Sequence, residues 1–218
     1  MLNVFTLYSL ASMLLPCMVY QLILVVKARR NGQRCQAVHV IWIYIFLIYI
    51  WMVFQVTGIG LLGDILRTDT DLILGGVNFV PFDSIGIGYI LNVVMCMPLG
   101  FLLPLIWEDC RKLGKTVMIG AGFSLLIEIT QLFNYRATDI DDLTANTLGV
   151  LLGYFIWKIF VRLFGIRLKA RAIGKQEAII YILLSVAGTF LLYDPYLLFP
   201  CDILLPINFT HQLCRFDT

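Results

Sequence analysis

Apolar residues fill long, nearly uncharged runs of this chain, and short polar connections separate them. The runs extend roughly from Val4 to Val26, Val38 to Leu62, Gly88 to Trp107, Thr116 to Phe133, Ala145 to Val161 and Ala178 to Tyr193. A helix of about 20 residues crosses a hydrocarbon core ~30 Å thick, so a run of about 18 or more predicts a transmembrane helix. The pattern predicts an all-α, polytopic membrane protein with about six transmembrane helices. The first run follows Met-Leu-Asn with no Lys or Arg before it, which predicts a retained helix and not a cleaved signal.

Two stretches break the pattern. Leu72 to Phe82 (LILGGVNFVPF) is apolar but short, and its paired glycines and proline argue against a span. The tail, residues 195–218, carries apolar patches interrupted by Pro200 and Pro206. Both are expected to be short interfacial or re-entrant segments on the outer side.

Charge supplies the orientation. The connections after the first, third and fifth runs hold Lys27, Arg29, Arg30 and Arg34; Arg111, Lys112 and Lys115; and Lys158, Arg162, Arg167, Lys169, Arg171 and Lys175. Thirteen of the 16 basic residues therefore fall on one side. Arg67, Arg136 and Arg215 fall on the other, with most of the aspartates. The positive-inside rule places both termini outside the cytoplasm, which requires an even number of spans.

Composition narrows the function classes. Of the 218 residues 60% are hydrophobic and 14% charged, which excludes an ordinary soluble protein. No polar stretch is long enough for a soluble catalytic domain, and nothing suggests a nucleic-acid partner. The expectation is one integral membrane domain over 1–218, in a multi-pass cell membrane location, with any chemistry in or at the bilayer.

The cysteines, Cys17, Cys35, Cys96, Cys110, Cys201 and Cys214, show no zinc spacing. Cys201 and Cys214 share the tail, where an oxidising compartment would permit either a disulfide or two free thiols. His39 and His211 lie at opposite ends of the topology, too far apart for a histidine triad with the polar residues below. P-loop, HExxH and nucleophile-elbow patterns do not occur.

Polar residues interrupt the fourth and fifth runs at helical spacing. Ser124, Glu128 and Gln131 stand at i, i+4 and i+7, on one face. Asp139, Asp142, Asn146, Gly149 and Gly153 step by 3, 4, 3 and 4 and share another. A carboxylate at the bilayer centre costs roughly 2.5 to 3.5 kcal/mol on insertion scales, so Glu128 requires a polar interior, which the second stripe can supply. Glu128 stands ~18 Å from Thr116 at 1.5 Å per residue, beyond the midplane and toward the outside. Gly149 and Gly153 are expected to pack against Gly120 and Ser124, because small residues let helix backbones approach.

Each feature also has a plainer role. Asp139 and Asp142 suit an N-cap and first-turn acid. Arg136 can pair with those aspartates, Ser124 can bond its own helix, and Asn146 can hold two helices together.

The stretch SLLIEITQLFNYRATDIDDLTANTLGVLLGY resembles the signature of the VanZ-like membrane proteins, S-x(3)-E-x(2)-Q-x(2) followed by R-x(2)-D-x(2)-D-x(3)-N-x(2)-G. Ser124, Glu128, Gln131, Arg136, Asp139, Asp142, Asn146 and Gly149 carry it. NFVPF, with Asn78, Pro81 and Phe82, and NVVMCMPLGFLLP, with Asn92, Pro98, Gly100 and Pro104, match as well. The resemblance covers roughly residues 40–160, and Cys96 departs from the larger apolar residue expected there.

The resemblance implies a link to resistance against teicoplanin and related lipid-tailed glycopeptides, which act on cell-wall precursors outside a bacterial plasma membrane. Two classes of function follow. In one, Glu128, Arg136, Asp139 and Asp142 form an intramembrane active site on a lipid or lipid-linked cell-surface molecule. Glu128 would then be an acid or base, and Glu128, Asp139 and Asp142 the candidates for holding a divalent cation. Arg136 would contact phosphate, and Ser124, Gln131, Asn146, Asn78 and Asn92 would assist binding. In the other, the same residues recognise a cell-wall precursor or a lipoglycopeptide without turnover. A proton-coupled transporter fits less well, because no duplicated pattern and no second acidic site is visible.

Overall fold

A computed structural model describes residues 4–32, 37–66, 77–78, 86–133, 138–165 and 176–195. The described elements are α1 (Val4–Arg30), α2 (Ala37–Thr57), α3 (Leu62–Leu66), β1 (Val77–Asn78), α4 (Ile87–Ile106), a 3-10 turn (Glu108–Arg111), α5 (Leu113–Gln131), β2 (Thr138–Asp139), α6 (Ile140–Phe164) and α7 (Glu177–Leu192). The protein is helical, and among the described residues five helices are long and apolar enough to cross a membrane. The sixth predicted run forms α7, an apolar helix of 16 residues.

Local signals set the ends of α6. Asp139, in extended conformation, caps its start, its carboxylate accepting the Asp141 N–H at 2.9 Å. Asp141 and Asp142 follow in the first turn, where acidic side chains complement the helix dipole. Gly165 closes the helix at φ 63°, a left-handed conformation that glycine adopts without penalty, and Arg162 lies in the last turn.

Backbone proximity dictates the packing. Gly149 and Gly153 of α6 lie so close to α4 that a methyl group on either would collide with the carbonyl oxygens of Val93 and Met97. Gly100 of α4 abuts the Val150 carbonyl in the same way. This crossing is the most extensive helix contact. It corrects the expected partner of Gly149 and Gly153: they face α4, not the Gly120 and Ser124 side of α5. Helix α5 still packs directly on α6, with Gly120 set against the Val150 side chain. A stripe of small residues specifies closeness but not which helix comes close.

Helix α7 lies along α1, where Gly188 meets Ser12 and Pro16. Ser9 of α1 accepts hydrogen bonds from Trp51 Nε1 at 2.9 Å and Gln55 Nε2 at 3.1 Å, tying α1 to α2. The buried core runs through Phe46, Leu99, Leu103, Phe123 and Ile127. Leu22, Ile41, Ile90, Met118 and Leu163 point outward, as lipid-facing positions do.

A second buried polar group stands away from the stripes on α5 and α6. His39 Nε2 lies 3.0 Å from Glu177 Oε2, and Trp107 Nε1 donates to the same oxygen at 3.2 Å. These residues sit at the start of α2, the start of α7 and the end of α4.

Of the two segments expected on the outer side, Val77–Asn78 of the first forms a short parallel ladder with Thr138–Asp139, and residues 72–76 and 79–82 lie outside the described part. Residues 196–218 of the tail lie outside it too, so the Cys201 and Cys214 alternatives do as well. Cys17, Cys96 and Cys110 are free and buried.

Candidate functional site

Helical periodicity places Ser124 and Glu128 on the α5 face turned toward α6, both within the protein interior, at 1% and 5% exposure. Asn146 of α6 donates from Nδ2 to Ser124 Oγ at 2.8 Å. Its own Oδ1 accepts the Cys96 thiol of α4 at 3.2 Å. One turn along, Asn92 of α4 donates from Nδ2 to Asp142 Oδ1 at 2.6 Å. Three helices thus contribute side chains to one buried polar strip.

Glu128 joins this strip at the start of α6. Its carboxyl group accepts a hydrogen bond from the Asp139 backbone, and the Asp142 and Asp139 carboxylates are its charged neighbours. Like charges brought together disfavour simultaneous ionisation, so hydrogen-bond donors must compensate them. The Asp139 N–H serves Glu128, the Asp141 N–H serves Asp139, and Asn92 serves Asp142. Among the described residues, no group of three His, Cys, Asp or Glu side chains is arranged to hold a metal ion.

The remaining predicted residues are placed differently. Gln131 donates from Nε2 to the Thr57 carbonyl at 2.7 Å, which anchors the end of α5 to the end of α2. The backbone of Asn78 pairs with Asp139 in the parallel ladder. That ladder carries the preceding chain segment to the start of α6. Arg136 lies outside the described residues.

Two buried residues beside the strip escaped the sequence. Cys96 stands out there only as a departure from an apolar position, yet its thiol holds Asn146. Asp141 is 1% exposed, although its spacing leaves it off the Asp139, Asp142 and Asn146 stripe. Its place in the first turn of α6 was the available signal.

The sequence model of the family described as VanZ/LLP1 matches residues 40–161, more than half of the chain. The chain belongs to the VanZ/LLP1 family. No curated protein and no solved structure matches it. Together with the apolar helices, membership supports a membrane protein linked to glycopeptide resistance. The VanZ/LLP1 match includes α4, α5 and nearly all of α6, hence every described member of the polar strip. Helices α1 and α7, which pack on each other, lie outside it.

Proposed function

We propose that the strip formed by Asn92, Ser124, Glu128, Asp139, Asp142 and Asn146 is an outward-facing site that engages the polar headgroup of a lipid or lipid-linked cell-surface molecule, and so lowers the action of teicoplanin-type lipoglycopeptides on the cell. The burial of Glu128 beside two aspartates carries this reading. An ionisable group inside a bundle is costly and is retained where it handles a ligand or a proton. Glu128 acts there as an acid, a base or a hydrogen-bonding group, and Asn92 and Asn146 hold its neighbours in position. Arg136, two residues before β2, supplies a cation for a phosphate group. The charge of the connections supports an outer location in a bacterial plasma membrane.

The test compares the lipids of cells carrying the wild-type protein and Glu128→Gln by mass spectrometry, alongside their resistance. Resistance is expected to fall in the variant. A headgroup that appears or disappears with wild type assigns an enzymatic step, whereas unchanged lipids with wild-type resistance assign binding. Full resistance in Glu128→Gln would overturn the proposal.

A further inference from the structure

An apolar groove of about 770 Å³ runs along the surface between α5 and α7, away from the polar strip. Met118, Gly122, Leu126, Ile182 and Leu183 line its length, and Lys112, Gly114 and Lys115 line one end. The two glycines shape it. A Cβ added at Gly114 or Gly122 meets nothing within 4 Å, so each leaves open space where a side chain would stand.

The end that carries Lys112 and Lys115 is also the start of α5. Lys112 occupies the N-cap position in extended conformation, and no side chain caps the helix. The first N–H groups of a helix have no acceptor within it, and the helix dipole adds partial positive charge there. Gly114 leaves this backbone uncovered. Lys112 is exposed, and Lys115 makes an ion pair with Asp109 at 3.0 Å in which the aspartate is 67% exposed. Such an exposed pair is weak, and an ammonium has further N–H donors to offer an anion.

An apolar channel ending in lysines and uncapped N–H groups has the layout of an anionic amphiphile. We infer that the groove holds one anionic phospholipid, its acyl chain lying over Gly122 between α5 and α7 and its phosphate resting on Lys112, Lys115 and the start of α5. The inference holds whichever leaflet that end faces and does not depend on the role of Glu128. Because the groove wall is α5, the helix that carries Ser124 and Glu128, the lipid braces the element that positions them.

Native mass spectrometry of the purified full-length protein, titrated with phosphatidylglycerol or phosphatidylcholine, tests this. Wild type is expected to retain one phosphatidylglycerol about tenfold more tightly than phosphatidylcholine. The double variant Lys112→Ala/Lys115→Ala should lose that preference, and Gly122→Leu, which fills the groove, should weaken both lipids. Lys158→Ala, removing a charge on α6 elsewhere, should change nothing. Equal retention of the two lipids by wild type, a double variant that keeps the preference, or an equal loss in Lys158→Ala would each overturn the site. Undiminished binding in a folded Gly122→Leu would do the same. If the leucine variant does not fold, the lysine variants and the two lipids still decide.

Discussion

His39 and Glu177, 138 residues apart in sequence, meet with Nε2 and Oε2 3.0 Å apart and their side chains 1% and 0% exposed. Trp107 shares the glutamate oxygen, so the first turn of α2, the end of α4 and the first residue of α7 are joined at one point. Helix α7 is too short to rely on length alone for a stable membrane position, and this junction fixes its start. Removing one partner of a buried hydrogen bond leaves the other polar group unsatisfied, at a cost of about 1–3 kcal/mol. His39→Ala is therefore expected to lower the thermal unfolding midpoint in detergent markedly. Glu177→Gln, which can still accept from Trp107, should be milder. Equal, small shifts in both would show that the junction contributes nothing.

The α4–α6 crossing should be intolerant of added volume. Gly149→Leu would drive a side chain into the Val93 carbonyl, and backbone cannot move aside as a flexible side chain can. Loss of the monodisperse folded species on size-exclusion chromatography is expected for this variant. Gly114→Leu, which meets open space, should elute like wild type.

The link between Asn92 and Asp142 spans α4 and α6 at the edge of the polar strip. Asp142→Asn and Asn92→Ala should each reduce glycopeptide resistance, with expression and insertion preserved. Because the two groups form one contact, the double variant should lose little more than the worse single one, a non-additivity typical of touching residues. Independent, additive losses would separate them into different roles.

Thirteen basic residues on alternate connections predict that Gly32 and Leu113 face the cytoplasm. Cysteines introduced at these positions should react with an impermeant thiol reagent only after the cells are opened. Labelling from outside intact cells would reverse the topology.

Cys110 lies in the turn between α4 and α5, and burial pushes its thiol up to about 11 from 9.0, with Lys115 opposing and Asp109 adding to the rise. The thiolate is the reactive form, so its fraction at pH 7 is small and grows as pH rises toward that value. Alkylation of Cys110 in the folded protein should be slow at neutral pH and accelerate on unfolding. Rapid labelling of the folded protein at pH 7 would contradict this.

Helices were legible in the sequence wherever one local property sufficed. Uncharged apolar length marked α1, α2 and α4 through α6, and the 3- and 4-residue steps put Ser124 with Glu128 and Asp142 with Asn146, because helical periodicity is fixed by backbone geometry alone. The acid at position 139 marked the start of α6, since caps act on adjacent residues. Partner choice was decided only in three dimensions. Gly149 and Gly153 are small toward any neighbour, and it is the position of α4 that brings the Val93 and Met97 carbonyls to them. Gln131 shares a stripe with Glu128 yet reaches the end of α2, because a stripe wide enough to include both faces more than one helix. His39 and Glu177 carry no mutual signal along the chain, and their pairing arises from the packing of α7 beside α2, which brings the two buried polar groups within hydrogen-bond distance.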